Sequence, residues 1–240
     1  MTTTTERSGA TGAPRRLSWA LLVGAAGLVA FHLTWIVATA MEEGYRWQRE
    51  FISALAAPTA ERPVLMTIGF VALTVGILAT ALVVARHPGS GVAVGFLLVA
   101  AAGSLVTTVS RQACSTNLPE CAAVLRDDPL GSATRIHDLG ATVFFVSLMA
   151  AGLALGWPSS RQPIARLVAW VVAGGLVAVL TAWLLGSGAN DGALERALVV
   201  LLSCWVVVLA AARAGRQPSP GAATGSRGST AASSALIDGP

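Results

Sequence analysis

Long apolar runs alternate with short polar segments along this chain, and the lengths of the runs define its architecture. Crossing roughly 30 Å of hydrocarbon at about 1.5 Å per residue takes about 20 helical residues. Six runs meet that requirement: Leu17–Ala40, Val64–Ala85, Val92–Ser110, Leu139–Gly156, Ile164–Gly186 and Ala193–Ala212. The last opens on Glu195 and Arg196, so its uninterrupted apolar core is Ala197–Ala212. The pattern predicts an all-α fold, a polytopic six-helix transmembrane bundle over residues 17–212. Residues 1–16 and 213–240 have too little apolar surface to offset the entropy of ordering, and read as disordered tails. Arg15-Arg16 before the first run and Ala38-Thr39-Ala40 at its end resemble a secretory signal. A cleavable apolar core is only about 7–15 residues long, however, so this run reads as a retained anchor.

Composition points the same way. Of 240 residues, 54% are hydrophobic and 12% are charged, with a mean hydropathy of +0.68. Soluble domains carry about 25% charged residues, which excludes an ordinary water-soluble enzyme and a disordered regulator. All sixteen basic residues are Arg, set in ones and twos between the apolar runs. That is a topology pattern and not a phosphate-binding stripe, so membrane lipids are the expected partners and nucleic acid is not. With both termini cytoplasmic, the inner segments hold nine Arg against two acids and the outer segments seven Arg against ten acids. The positive-inside rule favours this orientation, and a multi-pass location in the plasma membrane follows.

Cys114 and Cys121 share one predicted outer loop, whereas Cys204 sits deep in the last run and reads as a small buried apolar residue. Two nearby thiols outside the cytosol are expected to pair. Closing so small a ring contributes about 2.5 kcal/mol by the chain-entropy model. The alternative, a metal or redox pair, lacks C-x-x-C spacing and an adjacent His.

Unusual polar residues collect at the outer ends of the runs. Trp47, Phe51 and Leu55 recur every four residues, as do Arg46 and Glu50. The spacing predicts a short helix with one aromatic face, either an anchor in the headgroup layer or a lid over a pocket. His137 and Asp138 fall on the first turn of the fourth run, with His137 on a face with Gly140, Ala141 and Phe144. Small residues there let a neighbouring helix approach, so His137 is expected to be buried between helices. It is either a satisfied hydrogen-bonding residue or a proton acceptor or metal ligand. Glu195 suits a helix N-terminus, but Arg196 does not, and calls for Asp138, Asp191 or a lipid phosphate as partner. His32 lies about two-thirds of the way through the first run, a depth at which polar residues serve either a local bond or a function. No cofactor or metal site is called for: three His are present, but His87 is predicted on the opposite side.

These outer segments also carry a resemblance. Phe51-Ile52-Ser53-Ala54-Leu55 after the first span, Ile136-His137-Asp138-Leu139-Gly140-Ala141 at the fourth and Gly192-Ala193-Leu194-Glu195-Arg196 at the sixth follow one order. In this the chain resembles the six-span bacterial membrane family known as domain of unknown function 998. The resemblance implies a six-helix bundle in the bacterial inner membrane, with Ser53, His137, Glu195 and Arg196 at motif positions, and implies no reaction. The Cys114–Cys121 loop lies outside that pattern.

Three readings of function remain. In the first, the outer polar cluster binds a lipid headgroup or a partner protein, with Arg111, Arg135 and Arg196 meeting phosphate while Asp138 and Glu195 orient them. In the second, an outer-leaflet lipid hydrolase or transferase uses His137 as base, Asp138 or Glu195 to orient it, and Ser53 or water as nucleophile. A proton-coupled carrier built on His32 is a third, weaker reading.

Overall fold

In the computed structural model, residues 13–114, 121, 123, 131–156, 170, 173–178, 181 and 190–214 are described. They form α1 (Ala13–Met41), a 3₁₀ helix (Ile52–Ala56), α2 (Pro63–Ala85), α3 (Gly91–Val109), α4 (Ser132–Gly156) and α5 (Asp191–Ala214). Among the described residues there is no strand. All five α-helices are long and apolar enough to cross a bilayer. The protein is therefore a polytopic helical membrane protein. The span expected over Ile164–Gly186 lies mostly outside the described residues, although its part 173–178 is helical. Of the expected tails, residues 1–12 and 215–240 also lie outside.

Helix ends depart from the apolar runs where polar partners exist. Residues 13–16, expected to be disordered, belong to α1, whose first turn contains Pro14, a residue pre-set for that position. Residues 213 and 214 likewise continue α5. α4 starts at Ser132, not at Leu139, and His137 and Asp138 therefore lie in its second turn. The extra residues have partners outside α4: the Thr134 hydroxyl accepts from the Ala113 N–H, in the segment after α3, at 3.3 Å, and His137 bonds to the end of α3.

The helices pack as close pairs. A Cβ at Gly27 in α1 would sit 2.8 Å from the Cα of Gly76 in α2, and one at Gly103 in α3 would sit 2.8 Å from the carbonyl oxygen of Gly140 in α4. Only glycine permits backbones that close, the small-residue packing used where lipid removes the hydrophobic drive for helix association. Leu73, Leu97, Leu148, Leu202 and Trp205 are buried between the helices. Trp19, Leu22, Leu33, Ile36 and Leu82 are exposed, an outward apolar surface that acyl chains rather than water would cover.

Two local expectations are corrected. Trp47, Phe51 and Leu55 do not share a helical face: residues 46–50 form a turn, Phe51 is extended (φ −66°, ψ 149°) and the 3₁₀ helix follows. Trp47 is exposed whereas Leu55 is buried in the bundle. The backbone groups that a continuous helix would use are taken by α5. Cys204, expected to be buried, is exposed on the outward face of α5 and free, its small apolar side chain being as suited to lipid as to a core. Cys114 and Cys121 form a disulfide.

Candidate functional site

One end of the bundle gathers the segment between α1 and α2, the C-terminus of α3 and the N-termini of α4 and α5. The segment docks on α5 through its backbone, the Ala193 N–H donating to the Gln48 carbonyl at 3.0 Å. A Cβ at Gly192 would overlap the carbonyl oxygen of Glu50, so glycine is required at this contact. Glu195 completes it: Oε2 accepts from the Ile52 N–H at 2.6 Å, satisfying a donor that the start of a 3₁₀ helix leaves without a partner in its own helix.

Arg196 is buried and points toward Trp35 of α1. Its Nη1 lies 2.8 Å from each of the carbonyl oxygens of Trp47, Glu50 and Gly192, which share its two hydrogens. Nη2 donates to the Tyr45 hydroxyl. The guanidinium lies 5.4 Å from the ring centre of Trp35 and 5.5 Å from that of Tyr45. An Arg near a helix N-terminus is unfavourable by the dipole, but three carbonyl dipoles and two aromatic faces offset it. The Tyr45 hydroxyl in turn faces the carbonyls of Glu50 and Phe51, at 3.1 and 2.8 Å. Burial holds the Tyr45 phenol above its ordinary value, against the opposing pull of Arg196. Burial also raises the Glu50 carboxyl, against a bond from the Arg46 N–H and the charges of Arg46 and Arg196. The same cause raises Glu42, which accepts from the Glu61 N–H.

His137 caps α3. Its Nδ1 lies 2.8 Å from the carbonyl oxygen of Ser110 and 3.2 Å from that of Thr107. These carbonyls belong to the last turn of α3, where intrahelical donors run out. Carbonyls only accept, so Nδ1 carries the hydrogen and the neutral ring keeps its lone pair on Nε2. The rest of the side chain faces a cavity of about 380 Å³, lined by Phe51 and Ser53 from the loop, Gln112 after α3, His137 and Asp138 from α4, and Glu195 from α5. Ala141, Phe145 and Leu198 form its apolar wall. Deeper, a void of about 30 Å³, large enough for roughly one water molecule, shares Ser53, His137 and Glu195. Asp138, Thr142 and Val146, four residues apart on α4, line the cavity and are also exposed, so its α4 edge lies open at the bundle surface.

The structure thus brings Ser53, His137, Asp138 and Glu195 to one cavity. It does not bring Arg196 there, and Arg111 and Arg135 are exposed at the same end without lining the cavity. His32 lines neither space: its Nδ1 accepts from the Trp35 indole at 3.0 Å. Among the described residues no three His, Cys, Asp or Glu side chains stand together as a metal site. Sequence reasoning missed Gln112, whose Oε1 is buried without a partner, and the Tyr45–Trp35 cradle of Arg196. Neither has a motif, and the only signal was the discomfort of Arg196 at its helix end.

A family model described as "Protein of unknown function (DUF998)" matches residues 10–212. The chain belongs to this family. No curated protein and no solved structure matches it. In this DUF998 member, segments 51–55, 136–141 and 192–196 come together around the cavity and its supporting contacts, and each supplies at least one lining side chain.

Proposed function

We propose that this DUF998 protein binds a membrane lipid by its headgroup in the cavity at the α4–α5 end, on the exoplasmic side of a bacterial inner membrane, with both termini cytoplasmic. One observation carries the reading. Ser53, His137 and Glu195, from three separate elements, line a cavity of about 380 Å³ whose α4 edge is exposed. A space with an apolar wall, a few convergent polar groups and a lateral edge suits an amphiphile. Six crossings fit the course of the helices. α4 and α5 start together at the cavity, and further along Gly152 of α4 meets the Trp205 ring of α5, so the two run parallel. Orientation rests on the distribution of Arg and on the disulfide.

Native mass spectrometry of protein extracted in mild detergent tests the binding. Retained phospholipid is expected on the wild type and its loss on Ala141→Trp, which fills the cavity; equal retention on both would remove the reading. Membrane-impermeant maleimide added to whole cells should label Arg135→Cys in a Cys204→Ser background. Protection until lysis would reverse the orientation.

A second reading, a lipid hydrolase or transferase, is favoured by the fixed tautomer of His137. Nε2 is positioned to accept a proton in a cavity that also contains the Ser53 hydroxyl. The carbonyls of Thr107 and Ser110 then perform the orienting role expected of Asp138 or Glu195. Release of fatty acid or headgroup from ester lipids by the wild type and not by His137→Ala would favour catalysis over binding alone.

A further inference from the structure

We infer that the cavity selects a primary ammonium group, so that the preferred ligand is an aminophospholipid; this rests on the lipid-binding reading above. Donors and acceptors around the cavity decide the class of ligand. Glu195 commits Oε2 to the Ile52 N–H and still brings a buried carboxylate to the wall. Asp138 adds a second carboxylate at the exposed edge. His137 spends its Nδ1 hydrogen on α3 carbonyls and keeps a lone pair on Nε2. The Thr142 hydroxyl donates to the Asp138 carbonyl at 2.8 Å, so toward the cavity it has only lone pairs to offer. Gln112 Oε1, in the wall, is buried with no partner. Ser53 and the Gln112 amide are the donors among the described lining residues, which include no Arg.

A wall of this kind is short of hydrogens and carries acidic charge. A phosphate or carboxylate inside it would meet like charge and too few donors. A quaternary ammonium supplies charge but no N–H. A primary ammonium supplies three donors and the counter-charge that a buried carboxylate requires. Arg196 does not line the cavity and is held by its own carbonyls and rings. The phosphodiester of such a lipid has its own partners outside the cavity. Arg111 and Arg135 are exposed and flank the lining residues Gln112 and His137 in sequence. The headgroup is thereby divided, with the cation inside against Glu195 and the anion at the edge against arginines.

The test loads full-length protein in nanodiscs with equal parts phosphatidylethanolamine, phosphatidylcholine and phosphatidylglycerol and reads the retained species by native mass spectrometry. The ethanolamine lipid should exceed each of the others by about tenfold, the scale of one charge-assisted hydrogen bond. Glu195→Gln retains an acceptor for Ile52, and Gln112→Leu and Asp138→Asn lie at less enclosed positions; each should shrink the preference to about twofold or threefold by the same reckoning. Melting temperature monitors folding of every variant. Equal retention of the three lipids by folded wild type overturns the ammonium assignment and leaves lipid binding standing. Retention of none overturns lipid binding. In that case stabilisation by soluble phosphoethanolamine, but not by phosphocholine, would keep the ammonium assignment with a free amine as its source, and no effect of either would end both.

Discussion

Glu195 and Arg196 are adjacent in sequence, both buried, and leave α5 in different directions, Glu195 toward the cavity and Arg196 toward Trp35 of α1. On the Arg196 side, carbonyls of Trp47, Glu50 and Gly192, the Tyr45 hydroxyl and two aromatic faces surround the guanidinium. On the Glu195 side, the carboxyl and His137 each commit one polar atom to a helix end and present the remainder to a cavity. A buried charge is therefore no sign of function by itself. What separates the two sides is not full pairing, since Arg196 Nε and Glu50 Oε2 are buried without a partner, but whether the side chain lines an open space.

The comparison is tested hardest by Arg196→Ala. It leaves the Trp47 carbonyl without its donor and the Glu50 carbonyl with the Tyr45 hydroxyl alone, and removes a buried charge from its cradle, at a cost of about 3–5 kcal/mol. Hydrogen–deuterium exchange over residues 45–52 should rise sharply and the melting temperature fall; a loop that stays protected would mean that Arg196 is not its fastening. Gly192→Ala should act on the same fastening by overlap with the Glu50 carbonyl, costing about 1–3 kcal/mol. Ser53→Ala should do the reverse. Melting should change by less than about 1 kcal/mol, as expected of a side chain that removes no packing, while lipid retention falls; a large stability loss with lipid retained would place Ser53 with the structural side.

The smallest effect is one of pH. Burial raises the Glu50 carboxyl above its ordinary value, so the folded loop binds the proton more tightly than the unfolded chain does. The stability this contributes is complete below the unfolded value of about 4.3 and is lost as pH rises through the higher folded value. Exchange of residues 45–52, corrected for intrinsic rate, should therefore increase across that window in the wild type and stay level in Glu50→Gln.

The membrane-crossing helices were legible because hydrocarbon thickness dictates run length, and every described span coincides with an apolar run. The extension of α4 was not, since Thr134 and His137 remain helical through partners at and just beyond the end of α3 that no local pattern reveals. The Trp47–Phe51–Leu55 spacing misled for a related reason. A four-residue repeat predicts a helix only if the intervening backbone groups are free to bond one another, and here α5 takes them. Arg196 needs a partner by the dipole argument, but apart from the Gly192 carbonyl its partners are backbone carbonyls and rings far away in sequence, invisible to a search among acids and phosphates. The convergence of Ser53, His137 and Glu195 could be posed from motif order; Gln112, an ordinary polar residue after a helix, could not.

A Cβ at Gly152 would press into the indole of Trp205, so α4 and α5 touch there with no slack, while nearer their starts a space separates them. The two rods have the shape of tweezers joined at the indole. Prising their tips apart would admit a guest sideways from the bilayer, and the joint would stay shut, so loading would open no leak from one face of the membrane to the other.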